Sequence, residues 1–229
     1  MSIIKPAWKL PAHVKAFCST RIGGVSQPPF DSLNLAQHVG DNLDHVQQNR
    51  EILVASQQLP SQPCWLEQTH STTVVTLESE ANRHADAAIT RQPDTIAVIM
   101  TADCLPILLC NHSGTEVAAV HVGWRGLLDG VVQETLAKMQ SPASQLLAWI
   151  GPAISQPEFE VGDEVRQAFI EKYDSAQNRF KPNRPGHWLC DLAGLACDLL
   201  QRHGLAQTHR SNLCSYRNEA QYYSYRRDG

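Results

Sequence analysis

EVAAVHVGWRGLLDGVVQETLAKM, residues 116–139, is the stretch whose reading decides the fold. Residues 117–122 are apolar on both faces, as expected of a strand covered on both sides. Gly123, Trp124, Arg125 and Gly126 form a tight connection. Leu127, Leu128, Val131, Val132, Leu136 and Met139 then fall on one stripe of a helix predicted over 127–139. A strand end that feeds a helix start is the usual position of a site in an α/β protein. The unpaired first-turn amides expected near Leu127 suit an anion, and Arg125 adds a planar fork that matches phosphate or carboxylate.

Working outward, residues 14–20, 73–77, 85–90, 96–101, 107–110 and 146–150 also read as short strands bounded by turn residues. Further helices are predicted over 44–58, 160–172 and 191–203. The last has Asp191 as its N-cap and Gly204 as its stop. Strands and helices are mixed without strict alternation. The expected fold class is therefore α/β, a single-domain layered sandwich with mixed β-sheets flanked by helices.

The 229 residues are 42% apolar, enough for one compact domain spanning 1–229 with a real core. The net charge of −4 argues against non-specific nucleic-acid binding. No apolar run is long enough for a signal peptide or a membrane span. Seven Cys and ten His are the unusual counts. The cysteines are odd in number and contain no CxxC, which speaks against a disulfide framework and a zinc finger and for reduced thiols in the cytoplasm.

Three segments place chemistry-bearing side chains at strand mouths. His121 closes the strand of the opening stretch. In MTADCLPILLC (100–110), Cys104 stands at a strand end beside a carboxylate and just before a turn. In CWLEQTHSTTVV (64–75), His70 lies in a polar stretch immediately before a β-branched strand. One Cys and two His form a three-ligand set of the kind a catalytic zinc uses, with copper also suited to these donors. The same residues also fit a Cys–His nucleophile pair with a second His nearby, and spacing does not separate the two. In CSTRIGGVSQPPFDSLNL (18–35), Arg21 precedes two glycines, giving a loop with a cation at its base. The C-terminal CSYRNEAQYYSYRRDG (214–229) reads as a tyrosine-rich edge strand with solvated arginines.

STRIGGVS, SLNL, WLEQTH, ADAAIT, MTADCLP, AAVHVGWRGL, WIGPAI, FEVGDEV and YYSYRRDG together resemble the YfiH-type laccase-domain family, whose members are called polyphenol oxidases or purine nucleoside phosphorylases. The likeness runs from about Cys18 to Gly229. It implies a layered α/β domain similar to bacterial toxin deamidases with a Cys–His site. It implies zinc ligands at His70, Cys104 and His121; for the phosphate, the residues themselves offer Arg21 and Arg125 as candidate contacts. The implied activity is zinc-dependent phosphorolysis of adenosine, inosine and methylthioadenosine, with adenosine deamination as a further activity. Copper-dependent polyphenol oxidation and a cysteine hydrolase or amidase role in peptidoglycan precursor editing are the alternatives. The expected partners are purine nucleosides and phosphate, with no nucleic acid and no membrane, and a homodimer is the candidate assembly. Members of the family usually continue past SYRRD into a TGR-containing apolar tail, whereas this sequence stops at Gly229.

Overall fold

The computed structural model describes residues 1–229 apart from Trp8, Lys9 and Ala206. The chain begins with a two-stranded pair, β1 (Ile3–Ile4) and β2 (Cys18–Ser19), followed by helix α1 (Leu43–Gln57). Next come β3 (Val74–Thr76), β4 (Ala87–Thr90), β5 (Leu105–Asn111) and β6 (Val117–Val122). Helices α2 (Trp124–Asp129) and α3 (Val131–Lys138) lead to β7 (Leu146–Ile150). The remainder is β8 (Glu160–Gly162), α4 (Asp163–Lys172), β9 (Phe180–Pro182), β10 (His187–Cys190), α5 (Leu192–Arg202), β11 (Gln207–Arg210) and α6 (Tyr225–Asp228).

Six strands make the central sheet in the order β11-β7-β5-β6-β4-β3. It is mixed: the edge pairs β11–β7 and β3–β4 run parallel, and the inner pairs run antiparallel. β8, β10 and β9 form a separate antiparallel sheet. The fold is thus a single mixed α/β domain with a mixed central sheet, smaller antiparallel sheets and flanking helices, of the class the strand and helix pattern predicts.

The strand period of two divides the central sheet into unlike faces. Leu105, Ile107, Leu109, Ala118, Val120, Val122, Leu146, Ala148 and Ile150 point to the helices and join Leu127, Val131, Phe169, Leu195 and Leu199 in one core. Burying each such Leu or Ile stabilises the fold by roughly 1.5–3 kcal/mol. The other face carries His121, in register with Pro106 of β5. There the described residues line an open cavity of about 1100 Å³.

Several expected elements differ in the structure. The helix predicted over 127–139 starts at Trp124 and is split by Gly130, whose φ of 117° lies in the left-handed region that glycine tolerates. The Leu127 N–H bonds to the Gly123 carbonyl, so it is an interior amide rather than a free first-turn donor. Residues 96–101 form no strand. Apart from an isolated bridge between Ala97 and Cys64, the segment is held by the Gln68 side chain, whose Oε1 accepts from the Met100 N–H and whose Nε2 donates to the Met100 carbonyl. Of the strand expected over 14–20, only Cys18–Ser19 pairs, with Ile3–Ile4. The helix expected from 160 starts at Asp163, because Glu160–Gly162 are taken up in pairing with β10. The C-terminal residues are turns and the short α6, not an edge strand, because the Ser224 side chain caps the Arg227 N–H.

Candidate metal centre

Strand register brings the site together. Leu105 pairs with Val122, so Cys104 and Gly123 meet at the same end of the β5–β6 ladder. Ala87 pairs with Val120, which sets Asp86 beside His121, and the His121 N–H donates to the Asp86 carbonyl at 2.7 Å. His70 enters from the turn that precedes β3.

The donor atoms of His70, Cys104 and His121 all lie within 4.8 Å of one another. His70 Nε2 is 3.7 Å from Cys104 Sγ, and the two imidazole centroids are 4.7 Å apart at 74°. A tetrahedral zinc with its usual bond lengths separates a sulfur and a nitrogen ligand by about 3.6 Å, so the His70–Cys104 separation fits the ion. Among the described residues this is the one cluster of three such ligand groups.

Asp86 organises the site, and composition alone does not single it out. Its side chain is wholly buried. One carboxylate oxygen lies 2.7 Å from His121 Nδ1, leaving Nε2 of that ring as its free donor. The carboxylate also accepts the N–H groups of Thr69 (3.2 Å), His70 (3.1 Å) and Ser71 (2.6 Å), and the Ser71 hydroxyl (2.7 Å). Burial alone would raise this carboxyl, but the bonds from His121 and Ser71 outweigh it and hold the group at about 2. A single carboxylate therefore orients one histidine through its ring and the other through its backbone, as outer groups do around metals. Its sequence signal is an aspartate at the mouth of an otherwise apolar strand, in ADAAIT.

Closeness is enforced by glycine and by left-handed turns. A Cβ on Gly123 would stand 2.7 Å from His70 Cδ2 and 3.2 Å from Cys104 Sγ, so no side chain fits there without displacing a donor. His70 has φ 60° and Asp103, next to Cys104, has φ 84°. Such angles are uncommon outside glycine and persist where neighbouring bonds determine them.

The electrostatics suit a cation. Burial, then the His121 ring and the Arg125 charge, lower His70, with Asp86 opposing them. His70 is thereby kept neutral at pH 7 with a lone pair to offer. Burial, with Asp103 and Asp86 nearby, pushes the Cys104 thiol up to about 12. Without a cation beside it, Cys104 is a protonated thiol at neutral pH and a poor nucleophile. A bound metal reverses that balance.

The two predicted anion contacts differ. Arg125 is exposed, stacks on Trp124 at 4.3 Å and has no ion-pair partner among the described residues. Arg21 lies along the same cavity but is committed. It donates from Nε to the Asp31 carbonyl at 2.7 Å, from the other guanidinium nitrogens to the Asp31 carboxylate at 3.2 Å and the Glu219 carbonyl at 3.3 Å, and it stacks on Tyr223 at 4.5 Å.

Two imidazoles and a thiol gathered at strand mouths of a mixed α/β domain, braced by one buried carboxylate, make a group that could hold a single metal ion. The chain belongs to the multi-copper polyphenol oxidoreductase laccase family, whose model matches residues 15–229. It is 48% identical over 228 residues to the purine nucleoside phosphorylase YfiH of Shigella flexneri, covering 99% of this chain and 93% of that protein. A Haemophilus influenzae protein named purine nucleoside phosphorylase is 43% identical over 231 residues, covering 100% of this chain and 95% of the relative. The crystal structure of Neisseria meningitidis protein NMB0706 superposes with a TM-score of 0.95 at 42% identity, over 99% of this chain and 94% of that one. YlmD from Geobacillus stearothermophilus gives 0.88 at 25% identity, over 100% and 92%.

Proposed function

We propose that this protein is a zinc-dependent purine nucleoside phosphorylase that cleaves adenosine, inosine and methylthioadenosine, with adenosine deamination as a second activity. The observation that carries the reading is the convergence of His70, Cys104 and His121 within 4.8 Å beside a cavity large enough for a nucleoside and phosphate. Relatives at 43–48% identity named purine nucleoside phosphorylase support it.

His70, Cys104 and His121 would hold the ion. When bound, zinc supplies Lewis acidity at the mouth of β6. The remaining roles belong to the chain. Asp86 fixes the His121 ring and the 69–71 turn. Arg125, uncommitted and exposed, holds phosphate and offsets its charge as the phosphate oxygen bonds to the ribose C1′ and the purine leaves. Arg21 contributes to the cavity wall through Tyr223 rather than by direct contact with phosphate. Deamination of adenosine exchanges the C6 amino group for a water oxygen and releases ammonia.

A four-copper laccase would need several ligand clusters, and the described residues supply one. The high pKa of Cys104 weighs against a metal-free cysteine hydrolase. The seven free cysteines support a reducing, cytoplasmic setting.

The test is incubation of metal-replete protein with inosine and phosphate. Hypoxanthine and ribose 1-phosphate are the expected products. Their absence overturns the phosphorylase reading. Several copper atoms per chain by elemental analysis, or full activity after chelation, would favour the oxidase or the cysteine hydrolase instead.

A further inference from the structure

Asp103 is the least expected member of the Cys104 turn. It sits immediately before a donor, in a left-handed conformation (φ 84°), and its carboxylate is bonded to the C-terminal segment. One oxygen accepts the Ser215 hydroxyl at 2.6 Å. The other accepts the Ser224 hydroxyl at 2.9 Å and the Arg226 N–H at 2.7 Å. Ser215 and Ser224 are 3% and 1% exposed, so the two hydroxyl bonds are partly shielded from competing water, whereas the Arg226 bond lies at the surface. The Asp103 carbonyl accepts the Ile154 N–H at 3.0 Å, fixing the turn on its other side.

The segment held this way is tied to itself. The Arg227 guanidinium donates to the carbonyls of Ser215 (3.0 Å), Tyr216 (2.7 Å) and Tyr222 (2.9 Å), closing residues 215–227 into a loop. Tyr223, Tyr225 and Arg226 of this loop border the cavity that holds His70, Cys104 and His121. The same aspartate thus fixes the backbone that presents a metal donor and the loop that walls the cavity.

We propose that Asp103 is a positioning residue that couples the C-terminal loop to the metal centre, so that metal binding and ordering of residues 215–228 reinforce each other. The proposal rests on the metal reading of the His70, Cys104 and His121 cluster. Coupling of this kind is reciprocal: whatever tightens one site tightens the other by the same factor. The Asp103 carboxylate acts by its shape and its acceptors, so a neutral isostere retains most of the effect. In Asp103→Asn the amide oxygen still accepts from Ser224 and Arg226, and the amide nitrogen faces Ser215, whose hydroxyl turns to accept.

The experiment uses the full chain with Co²⁺ as the probe, read in two ways. The thiolate-to-cobalt charge-transfer band gives the affinity, and hydrogen exchange gives the protection of residues 222–228, with β7 as an internal reference. In the wild type, Co²⁺ produces the band and slows exchange in 222–228. In Asp103→Ala the affinity falls about tenfold. The metal-induced slowing in 222–228 disappears while β7 is unchanged. Asp103→Asn stays within about threefold of the wild type on both readouts, the scale of one modest hydrogen bond. Ser215→Ala, which removes a hydroxyl bonded to Asp103, shifts both in the same direction by about threefold, and it decides the matter should Asp103→Ala not fold. Unchanged affinity and unchanged metal-dependent protection in Asp103→Ala and Ser215→Ala overturn the coupling. No charge-transfer band in the wild type overturns the metal reading itself, and the coupling with it, before any variant is needed.

Discussion

His121 and Cys104 reach the same point by different physical means. His121 belongs to a six-residue strand buried along nearly its whole length, and its ring leans on a wholly buried carboxylate. Cys104 precedes its strand, stands in a turn whose neighbour is left-handed, and is partly exposed. A donor on a strand is placed by a ladder of backbone bonds and tolerates loss of any one of them. A donor on a turn is placed by a few side-chain bonds to distant residues. The strand side of the site should therefore fail through the loss of Asp86, and the turn side through small steric or hydrogen-bonding changes.

The largest effect separates the donors from everything that supports them. Cys104→Ala removes a ligand, and we expect elemental analysis to find no stoichiometric metal while thermal unfolding shows a cooperative transition. Retention of one zinc per chain would remove Cys104 from the centre.

Asp86→Asn strikes the strand side, and a second donor with it, since this carboxylate serves the His121 ring and the 69–71 turn that carries His70. Metal affinity should fall by about 10–100-fold in a competition titration. Unfolding in denaturant should show about 3 kcal/mol of lost stability at pH 7, because a buried partner is left uncompensated. The pH dependence has a fixed sign. The folded carboxyl lies at about 2 against an ordinary 3.8, so its contribution is complete above about pH 4 and is lost as pH falls toward 2. The gap between wild type and variant should narrow over that window; a gap that stays constant down to pH 2.5 would show that the charge of Asp86 contributes nothing.

Gly123→Ala sharpens the comparison from the turn side alone. The glycine backbone is extended (φ −77°, ψ 166°), so alanine strains nothing in the chain itself, and the atoms nearest the added Cβ belong to the His70 ring and the Cys104 sulfur. Metal affinity should weaken about tenfold with a nearly unchanged melting temperature. A large loss of stability would instead place Gly123 in the folding core.

The smallest effect on the metal belongs to the face of the sheet that never meets it. Phe169→Ala empties a wholly buried site among the helices and should cost about 3–5 kcal/mol while leaving metal affinity unaltered. Coupling between that cavity and the metal would mean that the two faces of the sheet are not independent.

Much of this was legible in the sequence, for a reason the same contrast explains. Strands β6 and β7 are apolar runs bounded by turn residues, and local pattern suffices to place them, with His121 at the end of one. Cys104 and His70 were legible as strand-mouth residues. What holds them was not: Asp86 is 16 residues from His70 and 35 from His121, and Ser215 and Ser224 are more than 100 residues from Asp103. The expected strand over 96–101 failed for a related reason. Its composition suits a strand, but the Gln68 side chain takes both backbone groups of Met100 in place of a ladder partner. The opening stretch concealed its break at Gly130 because the apolar stripe runs on in phase through the kink.

The central claim is that His70, Cys104 and His121 bind one metal ion. Crystallographic anomalous scattering across the zinc edge tests it most directly. The account predicts a single peak about 2.3 Å from Cys104 Sγ and about 2.1 Å from one ring nitrogen of each histidine. No peak at that point in metal-replete crystals, or several copper peaks elsewhere in the chain, would contradict it.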